Sequence, residues 1–271
     1  MLQVPATIMD RPVILYSNTS DRKHPDDQNA KWNLRGKLQF LESPRRAQML
    51  NYYMLVDPNI QDNNTVRIYQ NAINEQARNY GVASRASCLG YQTLTNFSRP
   101  GFTHDKLIAE FDKTITNLSR QKPGGTLAIL LLAKHNIPVY SAFKDYTDRY
   151  LGLQALCMTE EKNLQAGGCK VNVAPYVANI IMKINLKTGG RNHTAAGRGG
   201  QGRIEDTLKD TLLLGADVTH PGPGSLTGCP SIAVIVGSVD GTAGKCLGSM
   251  RLQHRSKTEV SLQHFIILGL C

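Results

Sequence analysis

The sequence predicts an α/β fold built on a mainly parallel sheet. Apolar runs at residues 52–56 and 127–132 predict strands, and the second run is continuous enough for a strand buried on both faces. Apolar residues at helical spacing in 65–80 and 103–119 predict two helices between those strands. The order strand, helix, helix, strand, loop, helix is typical of an α/β layer.

The ends of these predicted elements carry their own signals. Gly81 follows the first helix as a C-terminal cap, and Thr103 is a candidate N-cap of the second. Nearer the N-terminus, residues 12–16 predict a short strand and the polar segment 17–31 predicts a loop. Trp32, the only tryptophan, is predicted to be a packing anchor rather than a platform for a nucleic-acid base.

Composition favours an ordinary globular chain with an anionic partner. The 271 residues are 41% hydrophobic and carry a formal net charge of +10, which favours nucleic acid or another polyanion as a partner. The six cysteines form no C-x-x-C pair, so free thiols in a reducing compartment are expected. The sequence shows no signal peptide and no apolar run of membrane-spanning length. We therefore expect a cytoplasmic or nuclear protein without a membrane partner.

Residues 140–187 contain the pattern that points to an anion. Pro138 stands at a predicted helix start directly after the strand and its loop, and a helix N-terminus offers unpaired N–H groups to anions. Tyr140 and Lys144 are one helical turn apart, as are Lys183 and Lys187. Each pair alone is typical of a solvated helix face. Two such helices that converge would hold a phosphate.

The same residues carry a family resemblance. The segments I-P-V-Y-S-A-F-K (137–144), L-G-L-Q-A-L-C (151–157) and 179–190, which ends K-I-N-L-K-T-G-G, resemble the MID domain of eukaryotic Argonaute proteins. The segment L-G-A-D-V-T-H-P (214–221) resembles the opening strand of the Argonaute PIWI domain. The resemblance implies a Rossmann-like MID domain with a mainly parallel sheet, followed by the first strands of a truncated RNase H-like PIWI domain.

Four regions follow from this reading. A linker segment is expected at 1–46, the MID domain at 47–193, a flexible linker at 194–210 and part of the PIWI domain at 211–271. The Gly-rich, basic stretch 191–203 supports the second linker, with a disordered RNA-binding segment as its alternative. Further strands are predicted at 211–218, which is expected to be buried, at 231–238 and at 246–253.

The resemblance also implies a partner and roles for single residues. The partner is a small guide RNA with a 5′ phosphate, together with a target RNA in a full-length form. Tyr140 would stack on the first base, and three lysines would neutralise the phosphate, namely Lys144, Lys183 and Lys187. The first base would meet the loop of Lys134, His135, Asn136 and Ile137. Leu156 stands where many Argonautes have a phosphate-binding glutamine, which leaves Cys157 as a candidate through its backbone N–H.

A cleavage site is implied only in part. Asp217, at the predicted strand end, could be a ligand for Mg²⁺, although a lone aspartate there is more often a turn or capping residue. Glu259 matches the glutamate of the family with a one-residue shift, and the family's remaining acids lie further downstream. Two-metal cleavage needs several such groups, so no cofactor is expected for this chain, and Mg²⁺ belongs to a complete PIWI site.

Two alternatives from other classes stay open. The first is an α/β enzyme or binding protein for a mononucleotide or a small phosphorylated metabolite. No G-x-G-x-x-G follows a predicted strand, and the sequence contains no G-x-x-x-x-G-K-[ST] P-loop motif, so neither signature supports this alternative. The second is a chain that acts only by interaction through an exposed sheet edge.

Overall fold

The computed structural model describes residues 10–17, 22–24, 32, 34, 38–44, 49–95, 97, 102–160, 173–197, 202–222, 225, 228–241 and 244–253. The chain divides into two compact units. The larger comprises Leu15–His193, and the smaller comprises Met1–Ile14 with Thr194–Cys271. Two short strands, β1 (Val13–Leu15) and β2 (Arg22–Lys23), come first along the chain. The strand predicted at 12–16 is confirmed as β1.

A parallel sheet forms the centre of the larger unit. Its strands are β3 (Met49–Val56), β4 (Arg85–Thr93), β5 (Leu127–Leu132) and β6 (Gln154–Thr159). Their order is β4-β3-β5-β6, and the β3–β4, β3–β5 and β5–β6 pairs are all parallel. All six residues of β5 are buried, as expected for a central strand. The predicted strands at 52–56 and 127–132 and the predicted parallel sheet are therefore confirmed.

The sequence pattern does not predict β4, which lies between the two predicted helices. Its residues R-A-S-C-L-G-Y-Q-T show neither alternation nor a continuous apolar run. This strand forms an edge of the sheet, and most of its residues are only half-buried. An edge strand needs little burial, so its sequence can lack the hydrophobic signal of a central strand.

Helices cover both faces of this sheet. Helices α1 (Asn63–Asn79) and α4 (Ala174–Lys187) contact each other, as do α2 (His104–Gln121) and α3 (Ile137–Asp145). Phe111 of α2 and Phe143 of α3 meet edge to face at 5.3 Å in a buried cluster that also contains Leu130 of β5. The hydroxyl of Thr103 accepts from the Lys106 N–H and caps α2, as predicted.

Two further features bear on the sequence analysis. A π-helical turn, Tyr146–Leu151, continues α3 directly. Trp32 donates from its indole N–H to the Tyr16 hydroxyl at 2.9 Å and meets the His193 ring edge-on at 5.5 Å, contacts that favour the predicted packing role, while the residue stays 37% exposed. Among the helices that the structure describes, none is long and apolar enough to cross a membrane.

The smaller unit contains a three-stranded antiparallel sheet among its described residues. β7 (Thr194–Ala196) and α5 (Ile204–Leu208) lie in the stretch expected to be a linker. Strands β8 (Leu214–Thr219) and β10 (Cys246–Gln253) both pair with β9 (Ser231–Ser238). The strands predicted at 231–238 and 246–253 are confirmed. The expectation of a buried strand at 211–218 is wrong, because β8 lies at the sheet edge and nearly all its residues are exposed.

Candidate functional site

The loop between β5 and α3 is held in place from both ends. Asp57, only 2% exposed at the carboxyl end of β3, accepts from the Ala133 N–H at 3.1 Å. At the other end, the Asn136 side chain accepts from the Val139 N–H at 3.2 Å and caps α3. Pro138 occupies the first turn, where its missing N–H costs no hydrogen bond. The loop therefore lies at the carboxyl edge of the parallel sheet, where α/β proteins bind ligands.

The four loop residues singled out by sequence differ in what they can offer. Lys134, His135 and Ile137 are exposed, and Asn136 is half-buried. The side-chain oxygen of Asn136 accepts the capping hydrogen bond, so the side-chain N–H₂ group is what Asn136 can direct to a base edge. A contact between this loop and a first base stays a prediction.

Helix α3 places Tyr140 and Lys144 one turn apart on the same face. Tyr140 is 45% exposed, so its ring is open for stacking. The Lys144 side chain is 21% exposed, and its Nζ lies 2.7 Å from the Asp148 carboxylate in the π-helical turn. The first lysine of the predicted set therefore has an acidic partner within the chain.

Helix α4 runs back along β6 and carries the other two lysines. Near its start, the Tyr176 hydroxyl accepts from the Thr159 N–H at the carboxyl end of β6. Near its end, Asn185 donates to the Glu42 carbonyl, and the neighbouring Ser43 hydroxyl donates to the Gly81 carbonyl at the end of α1. A helix rises about 1.5 Å and a strand about 3.3 Å per residue. Lys183 therefore lies at about the level of the middle of β6.

The lysines of α3 and α4 approach each other. The pKa of Lys187 lies below its ordinary value, because burial removes water from the ammonium group and because the positive charge of Lys144 is near. The Asp148 carboxylate opposes this shift, so it too lies within range of Lys187. Lys183 is exposed one helical turn before Lys187 on the same face of α4. Lys144 and Lys187 therefore lie within electrostatic range of each other, and Lys183 lies on the same face of α4 as Lys187.

The backbone of β6 adds an N–H group on its outer side. Glu160 donates its N–H to Leu132 of β5, whereas Thr159 donates outward to Tyr176 of α4. Alternate residues of a strand point their N–H groups to opposite sides. Because Cys157 has the same parity as Thr159, its N–H points to the outer edge of β6.

The Cys157 side chain points elsewhere. It packs against the buried cluster of α2 and α3, and burial raises the pKa of its thiol to about 12. Its neighbour Leu156 is buried and offers no side-chain donor. Any contact of Cys157 with an anion therefore runs through its backbone N–H, as the sequence analysis supposed.

Asp217 does not lie in an assembled metal centre. It is exposed within β8, two residues before the strand ends at Thr219, and it stands opposite Val234 of β9. Within the described ranges, no group of three or more His, Cys, Asp or Glu residues could hold a metal ion. Glu259 lies outside the described residues. The residues described here do not fit a two-metal centre, and we derive no step through one.

The sequence analysis did not identify two residues that contribute to this region, Asp148 and Asp57. Asp148 follows Lys144 at the same four-residue spacing that identified Tyr140 and Lys144, so its pairing was accessible from sequence. Asp57 follows the β3 run directly, but nothing in the sequence indicates that its carboxylate reaches the Ala133 N–H across the sheet edge.

Comparisons with known proteins agree with this geometry. A model of the Piwi domain matches residues 127–268, which is more than half of the chain. Protein argonaute of Schizosaccharomyces pombe is 28% identical over 282 residues, covering 100% of this chain and 30% of that protein. Protein argonaute 1D of Oryza sativa subsp. japonica is 27% identical over 237 residues, covering 88% of this chain and 22% of that protein. The chain thus spans less than a third of either curated relative.

Solved structures show the same fold. The C-terminal lobe of a budding yeast Argonaute superimposes with a TM-score of 0.71 at 23% identity, over 95% of this chain and 51% of that one. Kluyveromyces polysporus Argonaute with a guide RNA gives a TM-score of 0.67 at 22% identity, over 93% of this chain and 28% of that one. The match of the family model over more than half of the chain shows that the chain belongs to the Piwi-domain family.

Proposed function

We propose that this chain binds the 5′-phosphorylated end of a small guide RNA in RNA-mediated silencing. The observation that carries the proposal is the approach of Lys144 on α3 to Lys187 on α4. Two ammonium groups from different helices repel each other, and the single carboxylate of Asp148 offsets only part of that repulsion. A bound anion would give this arrangement its stabilising partner.

The surroundings suit a terminal phosphate. Lys183, exposed on the same face of α4 as Lys187, would add a third positive charge, and the outward-pointing Cys157 N–H of β6 would add a donor. A phosphate monoester carries about −1.5 to −2 charges at neutral pH, so several cations are needed to neutralise it. Lysine acts on such a group as a point charge, without the fixed fork of arginine.

The first base of the guide would lie on the Tyr140 side of this cluster. The exposed ring of Tyr140 is one turn from Lys144, and stacking of a base on an aromatic ring is worth about 1–3 kcal/mol. The loop 133–136, fixed at both ends, precedes the same helix, and in this proposal its exposed residues Lys134 and His135 would meet the edge of that base.

The proposal covers binding, and it assigns no cleavage step to the described residues. One relative of the same fold is described as an Argonaute with a guide RNA, which supports a guide as the partner here. A guide held by its end leaves its other bases available for pairing, so we propose a target RNA as the second partner.

Binding to short RNAs that differ only in the 5′ group tests the proposal. Fluorescence anisotropy should show tighter binding of 5′-phosphorylated RNA than of 5′-hydroxyl RNA. Lys144→Met and Lys187→Met should each lower the affinity for the phosphorylated RNA by about 10- to 100-fold and leave that for the 5′-hydroxyl RNA unchanged. The reason is that a hydrogen bond to a charged group is worth about 1.5–3 kcal/mol. Lys113→Met removes the same charge from an exposed position on α2 and serves as the control.

Two results would overturn the proposal. Equal affinity for phosphorylated and 5′-hydroxyl RNA would show that the lysine cluster does not read the chain end. Competition by UMP or AMP as strong as by the RNA itself would assign the site to a mononucleotide instead.

A further inference from the structure

Asp148 stands within the proposed phosphate site although its charge has the wrong sign for it. Its carboxylate lies 2.7 Å from Lys144 Nζ, and its side chain is 53% exposed, compared with 21% for Lys144. The residue belongs to the π-helical turn Tyr146–Leu151, which follows α3 without interruption. Single π-helical turns in proteins are frequent at functional sites.

The influence of Asp148 extends to the second helix of the site. Its negative charge raises the pKa of Lys187, in opposition to burial and to Lys144, both of which lower it. Asp148 therefore interacts with one lysine from α3 and with one from α4. An anion bound by both lysines would compete with it for Lys144.

We propose that Asp148 is a built-in counter-charge, which holds the lysine cluster together in the RNA-free protein and gives way when the 5′ phosphate of the guide binds. This inference rests on the function proposed above. It adds that the affinity of the site for a phosphorylated end is limited by competition with a carboxylate of the same chain.

The ion pair is weak enough to be exchanged. Exposed pairs at i,i+4 on a helix stabilise a protein only slightly, because water screens them and the two side chains lose freedom. A phosphate brings up to two charges and three acceptor oxygens to the same ammonium groups. It therefore replaces Asp148 at Lys144 with a stronger partner, and the displaced carboxylate turns to solvent.

The variant Asp148→Asn tests this exchange, because it removes the charge while it keeps the size of the side chain. We expect the affinity for 5′-phosphorylated RNA to rise by about two- to tenfold at low salt, since the weak ion pair and the repulsion between carboxylate and phosphate are both removed. The affinity for 5′-hydroxyl RNA should change by less than about twofold. In a Lys144→Met background, the gain from Asp148→Asn should shrink.

A matched control separates this local effect from net charge. Glu75→Gln makes the same change in net charge at an exposed position of α1, and it should leave the ratio of the two affinities unchanged. Thermal melting of each variant shows that it is folded, and little change is expected because both side chains are exposed.

The outcomes separate the two proposals. If the unaltered protein does not distinguish 5′-phosphorylated from 5′-hydroxyl RNA, the proposed function fails whatever Asp148 does. If it does distinguish them but Asp148→Asn leaves the affinity for the phosphorylated RNA unchanged or weakens it, the counter-charge proposal alone is overturned. A weaker affinity would mean that Asp148 orients Lys144 for the phosphate.

Discussion

Replacing Gly190 with alanine should destabilise the larger unit and disturb the end of α4. A Cβ atom at Gly190 would lie 2.6 Å from the Glu42 carbonyl oxygen and closer still to the Asn185 side-chain oxygen. The first neighbour is backbone and cannot rotate away. The second belongs to an amide that donates to the Glu42 carbonyl and to Asn192 at 2.9 Å. Moving Asn185 aside therefore breaks the contacts that fix the helix end.

The size of the effect follows from these contacts. Overpacking in a well-packed region costs about 1–3 kcal/mol. Each of the two amide hydrogen bonds contributes about 1 kcal/mol. Partial relaxation leaves an expected loss of about 2–4 kcal/mol, which corresponds to a Tm lower by about 5–15 °C for a unit of this size. Because Lys187 is three residues away, binding of 5′-phosphorylated RNA should also weaken.

Gly189→Ala provides the matched comparison for thermal melting and RNA titration. Gly189 has a φ of +93° and no heavy atom within 4 Å of a Cβ position, so alanine there meets backbone strain of about 1–2 kcal/mol but no clash. We expect the Gly190 variant to melt at the lower temperature, although only Gly189 has the left-handed backbone. Equal melting temperatures, or a more stable Gly190 variant, would refute the packing argument.

Three further predictions concern the lysine site and β6. Because the pKa of Lys187 is lowered, its ammonium group loses its proton before the pH reaches the ordinary pKa of lysine, and binding of 5′-phosphorylated RNA should weaken over the same pH range. In a profile of affinity against pH, Lys187→Arg should extend binding to higher pH. Burial raises the pKa of the Cys157 thiol to about 12, so iodoacetamide at pH 8 should modify the exposed Cys229 first, as peptide mass mapping would show; the reverse order would contradict the burial argument. Cys157→Pro removes an N–H that points away from the neighbouring strand β5, so this variant should bind phosphorylated RNA more weakly than Cys157→Ala does. Equal binding by the two variants would exclude this N–H from the site.

The parts of the fold that the sequence could predict are those whose local pattern agrees with their burial. The run at 127–132 is apolar at every position because β5 is covered on both faces. Helix α2 begins where Thr103 supplies a capping oxygen and keeps its apolar residues on one face. In both elements, the side chains alone carry the information that fixes the structure.

Other elements depend on neighbours that the sequence does not name. β4 forms because β3 offers it a parallel partner, and its mixed residues would fit a loop equally well. β8 carries the apolar run that usually indicates burial, yet Leu214 is exposed at the edge of its sheet. The apolar content of a segment shows that it is able to form a buried strand, whereas its actual burial depends on which strands and helices pack against it.

In the candidate site, too, some features could be predicted from local sequence and others depend on packing. Helical spacing, the preceding strand and loop, and the family resemblance together identified Tyr140 with Lys144 and Lys183 with Lys187, and the structure keeps each pair on one helix. The electrostatic coupling of Lys144 with Lys187 depends on how α3 and α4 pack within the larger unit, which no local pattern expresses.

The outer edge of β6 gives these features a common physical reason. An edge strand exposes N–H groups that need partners, and proteins usually cover or charge such edges. Here Tyr176 of α4 accepts from the Thr159 N–H at one end of the edge, while the Cys157 N–H points to the same outer side of β6. A phosphate bound there would accept from that N–H and neutralise Lys144 and Lys187 together. The same ligand would therefore complete the sheet edge and offset the repulsion between the helices, which is why a terminal phosphate fits this position better than a neutral ligand.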